Sequence, residues 1–208
     1  AYAYGDGAER SCELTSAAVS RLFYDLPIPV YGSIYMQGIR QLVDSVGGVT
    51  ETAVTGMPAG VGEPWFDSVE GQLSHALFSL GGVKGIEFGA GFALAGMRGS
   101  EANDPFAVRG GRIVTLKNNS GGVNGGITNG MPIVFRCAVK PTPSIGRAQA
   151  SVSYTEKKET VLEIPGRHDP AIVRRICPVI DAVTAFVLCD MLAVRYGGDI
   201  FTRGREAF

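Results

Sequence analysis

Two polar segments of the chain carry residue types that together can bind an anion. The first, residues 117–130, is dense in glycine and asparagine. Such a loop can adopt positive φ angles and bring bare backbone N–H groups close to a ligand. The second, Lys140–Ser144, has the sequence Lys-Pro-Thr-Pro-Ser and holds one cation and two hydroxyls between prolines that stiffen the backbone. These groups suit a phosphate monoester, although the local chemistry is equally typical of an ordinary hairpin with polar turns.

An apolar strand is predicted between the two polar segments. Within Met131–Val139, every second residue is apolar and would lie on one face, namely Ile133, Phe135, Cys137 and Val139. A period of two predicts a strand with one buried face. We therefore expect this strand to join the two loops and the loops to flank one site.

A long apolar segment follows the sequence Gly-Arg-His-Asp-Pro at residues 166–170. Asp169 is a good N-cap residue, and Pro170 is well tolerated at the first helical position, so a helix is predicted to begin there. The residues from Ile172 to Met191 are almost all apolar, which predicts a central helix buried on most sides. Asp169 thus has two interpretations, a helix cap or a functional carboxylate, and the residues alone favour the cap.

The first part of the chain predicts two helices and a strand. Apolar residues recur at helical spacing over Ser11–Tyr24, and a strand is predicted over residues 28–39. Thr50–Thr55 is a polar stretch. A second helix is predicted after a cap at Asp67 or Ser68, because apolar residues follow at spacings of three and four.

The middle of the chain predicts a strand, a covering loop and a further strand. The first strand runs from Val83 to Phe88, and a second runs over Val161–Ile164. Gly89–Pro105 is rich in glycine and charged residues, which is typical of a lid over a substrate. Strands with helices buried between them indicate an α+β layered fold, which we expect to form a single domain over residues 1–208.

Composition excludes several classes of function. The chain of 208 residues is 45% hydrophobic and 19% charged, and its net charge is -1. Near neutrality argues against a broad nucleic-acid-binding surface, so an anionic ligand must be held by locally grouped cations. The cysteines are widely spaced, and His75 and His168 lie far apart, which predicts reduced thiols and no metal site. No apolar run is expected to reach transmembrane length, and the first residues lack the pattern of a signal peptide.

Several motifs along the chain occur in a fixed order. They begin with Gly-Glu-Pro at residue 62, Val-Lys-Gly-Ile-Glu-Phe-Gly at residue 83 and Gly-Ser-Glu at residue 99. The later motifs are Asn-Asn-Ser-Gly-Gly-Val-Asn-Gly-Gly-Ile-Thr-Asn-Gly at residue 118, Lys-Pro-Thr-Pro-Ser-Ile at residue 140 and Gly-Arg-His-Asp-Pro at residue 166. Independent motifs in a fixed order are more specific than any one glycine pattern. Together they resemble the chorismate synthase family, over residues 8–195.

This resemblance implies a fold and an activity. The fold would be a β-α-β sandwich with helices packed between two antiparallel sheets, in a homotetramer. The activity would be that of a cytoplasmic carbon–oxygen lyase, which converts 5-enolpyruvylshikimate 3-phosphate to chorismate by anti-1,4-elimination of phosphate. Reduced FMN is the implied cofactor, and the resemblance leaves NADPH open as its reductant. Neither a nucleic acid nor a membrane is implied as a partner.

The resemblance also assigns residues to the flavin site. Carried over position by position, the flavin contacts are Gly81, Gly82, Gly125, Lys140, Pro141, Thr142, Pro143, Ser144 and Arg167. Lys140 would neutralise the flavin phosphate, and the hydroxyls of Thr142 and Ser144 would donate hydrogen bonds to it. Asp169 is then the candidate base for the C6 proton, and Arg167, against the flavin and the anionic substrate, is the second catalytic candidate.

The resemblance leaves the family's first two-fifths without a counterpart in this chain. That part supplies both catalytic histidines of the family, so we expect the chain alone to hold an incomplete and inactive site. A second interpretation stays open. The chain could be a catalytically incomplete fragment or a degenerate paralogue that acts as a flavin-binding or interaction module.

Overall fold

The structure is a computed structural model that describes residues 30–35, 47–166, 168, 171–198 and 200–203. The helix predicted over Ser11–Tyr24 lies outside the described residues. So do two predicted site residues, Arg167 and Asp169.

The strands form one four-stranded antiparallel sheet and three two-stranded ribbons. In chain order they are β1 Val30–Tyr35, β2 Gly48–Val54, β3 Val83–Phe88, β4 Phe106–Arg109, β5 Arg112–Thr115, β6 Val123–Asn124, β7 Ile127–Thr128, β8 Ile133–Val139, β9 Gln149–Ser153 and β10 Lys158–Leu162. The sheet has the strand order β1-β2-β8-β3, and the ribbons pair β4 with β5, β6 with β7 and β9 with β10.

Strand β8 lies inside the four-stranded sheet and confirms the predicted alternation. Ile133, Phe135 and Cys137 are fully buried, Val139 is nearly so, and the residues between them face outward. On one side β8 pairs with β2 and on the other with β3. Because β8 has a partner strand on each edge and one apolar face, that face forms one side of the core.

Most of the polar stretch Thr50–Thr55 belongs to β2, a strand that the sequence did not predict. Thr50 and Thr52 are buried, opposite Cys137 and Phe135 of β8. Threonine is β-branched and fits a pleated surface well, so its hydroxyl does not prevent it from facing the core.

Two longer helices cover the buried face of the sheet. Helix α1 spans Val69–Phe78, and its N-cap is Ser68, whose side-chain oxygen accepts a hydrogen bond of 2.9 Å from the Gly71 N–H. This confirms the predicted helix and the second of its two predicted caps. After a short helix α2, Gly99–Ala102, the long helix α3 spans Val173–Tyr196, and α4 spans Ile200–Arg203. Short 3₁₀ turns occupy Trp65–Asp67 and Gly91–Gly96.

Helix α3 differs from prediction at its start and in its burial. Its first helical residue is Val173, so the prediction of a helix capped by Asp169 was wrong. Ile176 and Ile180 are buried, but Val179 and Phe186 remain 43% and 62% exposed, so one side of the helix is open.

The length and apolar character of α3 also contradict the expectation that no segment reaches transmembrane length. By those two criteria this helix could cross a membrane, which is weak evidence, because the core helix of a water-soluble protein meets the same criteria. Half of its most apolar window is buried inside the molecule. That burial fits a core helix that packs on a sheet.

The core lies between the sheet and the two longer helices. Leu73 and Leu77 of α1, Ile180 of α3 and Phe135 of β8 belong to one continuous apolar cluster. The α+β fold class is therefore confirmed, with one sheet layer and one helix layer. A second large sheet, on the far side of the helices, is not among the residues that the structure describes.

Candidate functional site

Two of the predicted cofactor segments meet at one end of the sheet. β3 and β8 run antiparallel with Val83 opposite Val139, so the residues before β3 lie beside those after β8. The Lys140 N–H donates a hydrogen bond of 2.8 Å to the Gly82 carbonyl and extends this ladder by one step. Sheet pairing thus brings Gly81 and Gly82 next to the segment Lys140–Ser144.

The start of α3 packs against the same end of the sheet. Gly82 has φ +102°, and a Cβ at this position would lie 2.9 Å from the Cδ1 atom of Ile172, the residue before α3. A side chain at Gly82 would therefore be strained by its backbone and crowded by its neighbour. At Gly81, in contrast, a Cβ would meet nothing within 4 Å. The backbone at Gly81 is therefore open to a ligand.

A histidine joins the second loop to the turn before α3. The His168 Nδ1 atom lies 2.8 Å from the Ser144 Oγ atom, and its Nε2 atom lies 2.9 Å from the Ile164 carbonyl oxygen. The β9–β10 ribbon separates Ser144 from His168 in sequence, and this hydrogen bond closes the base of that ribbon. His168 was not among the predicted site residues, although its motif had been recognised.

The exposed groups of this cluster fit a phosphate monoester. Lys140, Pro141 and Pro143 are exposed, while Thr142 and Ser144 are half-buried. The exposed Lys140 ammonium could neutralise a phosphate, and the Ser144 hydroxyl is positioned by His168, whereas the Thr142 Oγ1 atom is buried. Arg167 and Asp169 flank His168 in sequence but lie outside the described residues.

Gly125 lies away from this cluster. Gly125 and Gly126 form the two-residue turn between β6 and β7, with φ +57° and +85°, as a type I′ turn requires. The Gly126 carbonyl accepts a hydrogen bond of 3.0 Å from the N–H of Val69, the first residue of α1. Gly81 follows the other end of α1, and a helix of this length spans about 15 Å. Only an elongated ligand could contact both Gly125 and Gly81.

Most of the glycine-dense loop uses its N–H groups internally. The Asp104 carboxylate accepts hydrogen bonds of 2.8 Å from both the Asn119 and Ser120 N–H groups, and the Asn118 side-chain oxygen accepts one of 2.8 Å from the Gly122 N–H. Burial acts to raise the pKa of Asp104, but these hydrogen bonds and the nearby charge of a lysine lower it overall. A carboxylate of the chain itself thus accepts hydrogen bonds from the Asn119 and Ser120 N–H groups, so these two groups of the 117–130 segment are not available to an anionic ligand.

The segment Gly89–Pro105, which we had predicted to be a lid, is held against that loop. The Lys117 ammonium donates a hydrogen bond of 2.8 Å to the Glu101 carbonyl, and the Asn119 side-chain amide donates one of 3.1 Å to the Ala102 carbonyl. The segment contains ordered helical turns, although its surface is exposed. These contacts fix the segment in place, and whether it covers a substrate stays a prediction.

The thiols pack in the core. Within the described residues Cys137, Cys177 and Cys189 form no disulfide bond and are buried, as predicted, and Cys12 lies outside those residues. Burial raises the pKa of the Cys137 thiol to about 11, and a hydrogen bond with Thr50 lowers it only in part. Such a thiol stays protonated and unreactive at neutral pH. Among the residues that the structure describes, no group of three or more His, Cys, Asp or Glu side chains could hold a metal ion.

Comparison with known proteins gives consistent results. The family model described as chorismate synthase matches residues 33–193. The chorismate synthase of Methanocella arvoryzae is 53% identical over 153 residues, which cover 74% of this chain and 41% of that protein. The chorismate synthase of Methanosarcina acetivorans is 54% identical over 152 residues, 73% of this chain and 42% of that protein.

A solved structure agrees with the sequence comparisons. A crystal structure of chorismate synthase superposes with a TM-score of 0.63 at 32% identity, over 79% of this chain and 42% of that one. The chain therefore spans about two-fifths of the length of the relatives that it matches.

Proposed function

This chain belongs to the chorismate synthase family, and we propose that it supplies the flavin-phosphate side of an active site that converts 5-enolpyruvylshikimate 3-phosphate to chorismate. The reaction is a lyase reaction, a 1,4-elimination of phosphate in aromatic amino acid biosynthesis. The observation that carries the proposal is the convergence of Gly82, Lys140, Ser144 and His168 at one end of the sheet. Chain segments that are distant in sequence meet there, and Lys140 is an exposed cation among them.

The residues of this cluster fit the reduced FMN that the family uses. Lys140 would neutralise the phosphate, with Thr142 and Ser144 as hydroxyl partners, beside the open backbone of Gly81. When bound, the reduced flavin supplies electron density that helps the substrate's phosphate to leave. Gly125 belongs to the proposed site as a contact for the far end of this elongated cofactor. NADPH is the proposed reductant.

The protein side chains would handle the proton and the charges. Asp169 accepts the proton from C6 of the substrate, and Arg167 balances the anionic groups of substrate and cofactor. The assignment is supported by His168, which lies between Arg167 and Asp169 in sequence and contacts Ser144. Since α3 begins only at Val173, capping does not account for Asp169.

The state of the whole protein is part of the proposal. We propose a cytoplasmic homotetramer, supported by the exposed apolar side chains of the β4–β5 ribbon, Phe106, Val108 and Ile113. We also propose that the 208-residue chain does not turn over by itself. Its histidines are His75, exposed on α1, and His168, engaged with Ser144, so neither matches the two catalytic histidines of the family.

The cofactor assignment is tested with a chimera. This chain would replace the matching part of the Methanosarcina acetivorans relative, and FMN affinity would be measured by flavin fluorescence. Lys140→Ala removes a charge-assisted contact worth about 1.5–3 kcal/mol, so affinity should fall roughly ten- to a hundred-fold. Lys84→Ala is the matched control, since Lys84 is also exposed but lies on β3. An unchanged dissociation constant for Lys140→Ala would place the phosphate elsewhere.

The role of Asp169 is tested in the same chimera under anaerobic conditions with reduced FMN. Asp169→Asn keeps the shape of the side chain but cannot accept the proton. Turnover should fall about a hundred-fold or more while FMN affinity is retained, because a positioned base contributes about 10²- to 10⁴-fold. A near-normal rate would remove Asp169 from the mechanism.

A further inference from the structure

We propose that His168 is a positioning residue that couples binding of a phosphate monoester at Ser144 to the uptake of one proton. The proposal rests on the proposed function and goes beyond it, because it gives a role to a histidine outside the predicted site. It follows from the two hydrogen bonds of the imidazole ring, one to Ser144 and one to Ile164.

The hydrogen bond to Ile164 determines which ring nitrogen of His168 carries a hydrogen. The Ile164 carbonyl oxygen can only accept, so the Nε2 atom of His168, 2.9 Å away, must carry a hydrogen and donate it. In a neutral imidazole the other nitrogen, Nδ1, is then an acceptor. The Ser144 hydroxyl, 2.8 Å from Nδ1, must donate its only hydrogen to the ring.

A hydrogen bond donated by Ser144 to His168 conflicts with phosphate binding at Ser144. Oxygens of a phosphate dianion accept hydrogen bonds, and the hydrogen of Ser144 is already committed to His168. When a proton from solvent adds to Nδ1, the bond reverses, since Nδ1–H donates to the Ser144 oxygen. The hydroxyl hydrogen is then free to donate to the phosphate. The step forms one N–H bond and consumes one proton from water, without a change of oxidation state.

The surroundings of the ring favour this coupling. A Cβ at Gly146 would lie 3.4 Å from the Cδ2 atom of His168, so the ring lies close to this glycine, and its two hydrogen bonds orient it. The segments that meet there carry the cations Lys140, Arg147, Arg174 and Arg175 and the acid Glu163, while Arg167 and Asp169 lie outside the described residues. A phosphate dianion bound at Ser144 would place negative charge beside the ring.

The coupling also involves the β9–β10 ribbon. Ser144 precedes this ribbon and His168 follows it, so their hydrogen bond ties its two ends together. Both states of the imidazole keep a hydrogen bond to Ser144, and only its direction changes. The base of the ribbon therefore stays closed whether or not the phosphate is bound.

The test follows the imidazole nitrogens of His75 and His168 in the same chimera by NMR at about pH 7.5. FMN is the probe, and riboflavin, which lacks the phosphate, is its control. We expect FMN to move the His168 nitrogens towards the doubly protonated form and riboflavin to leave them unchanged. His75, exposed on α1, is the internal control and should not respond.

The outcomes separate this inference from the cofactor assignment. If FMN shifts the amide signals of Lys140–Ser144 but leaves His168 singly protonated, the proton coupling is wrong and the cofactor site stands. If FMN shifts neither set of signals in the chimera at millimolar concentration, the cofactor does not bind there and both proposals fail.

Two substitutions distinguish positioning from a merely structural role. The side-chain nitrogen of Asn stands where Nδ1 stands, and that of Gln stands where Nε2 stands. His168→Asn should therefore keep a donor to Ser144 and retain FMN affinity within a few-fold, but lose its dependence on pH. His168→Gln keeps only the Ile164 contact, and affinity should fall roughly ten-fold, as expected for one lost hydrogen bond with a charge. Equal affinities for His168→Gln and the unaltered chain would overturn the inference.

Discussion

Replacing Asp181 with asparagine should stabilise the chain at neutral and alkaline pH. Asp181 lies on the buried side of α3 and is 7% exposed. Within the described residues its Oδ1 atom has no hydrogen-bond partner. The buried hydroxyl of Thr184, one turn along the helix, also has none among those residues. Burial alone raises the pKa of Asp181 from 3.8 to about 7. A charged carboxylate at this position therefore costs stability.

The size and sign of the effect follow from the pKa. A tenfold change in a proton-binding constant corresponds to about 1.4 kcal/mol, so a rise of the pKa from 3.8 to about 7 corresponds to roughly 4 kcal/mol. Below the unfolded value both states of the chain hold the proton, and the group contributes nothing. Between the two values the folded state holds a proton that the unfolded state has lost, so stability falls as pH rises. Above the folded pKa the full penalty remains constant.

Urea unfolding at two pH values measures the prediction. The stability difference between Asp181→Asn and the unaltered chain should be about 1 kcal/mol near pH 4.5 and grow to roughly 2–4 kcal/mol near pH 8. Asp190→Asn is the matched control, because Asp190 is exposed on the same helix. A constant difference across this pH range, or an equal gain for Asp190→Asn, would refute the reasoning that Asp181 is buried with its charge uncompensated.

Four further substitutions test the local geometry. Gly82→Ala should lower the free energy of unfolding by about 1–3 kcal/mol, because φ is +102° and the new Cβ is crowded. In the same denaturation assay Gly81→Ala should change that free energy by less than about 0.5 kcal/mol, because its new Cβ would meet no atom within 4 Å. Asp104→Asn should cost about 1.5–3 kcal/mol at neutral pH by weakening two charge-assisted hydrogen bonds. Since the pKa of Asp104 is lowered, this cost should vanish in urea titrations as pH falls through its folded value. Ser68→Ala should cost about 1 kcal/mol through the lost N-cap, measured as a lower Tm.

Local patterns in the sequence were enough to predict several elements. Strand β8 was correctly predicted, because its buried face repeats with the period of a strand. Helix α1 and its Ser68 cap were equally clear, since a cap and a periodic apolar face are properties of neighbouring residues. The motifs at residues 118, 140 and 166 also identified the family, which comparison confirmed. In each case the information lay within a short stretch of chain.

Other features depended on which distant segments pair. Thr50 and Thr52 are polar and gave no sign of a core strand, yet β2 is buried because it lies between β1 and β8 and under α3. The start of α3 was placed too early, because Asp169 and Pro170 are good helix-start residues but the described helix begins only at Val173. Propensity at a helix end is worth about 1 kcal/mol, which tertiary packing easily outweighs.

The candidate site itself was decided by tertiary structure. The sequence named Gly82, Lys140 and Ser144 as separate motifs, but only the β3–β8 register brings the first two within a hydrogen bond of each other. It also suggested free N–H groups at Asn119 and Ser120, where the fold places the carboxylate of Asp104. Hydrogen-bond donors look available in a sequence because their partners come from other parts of the chain. Which donors stay free for a ligand is settled only when the chain has folded and satisfied its own buried groups.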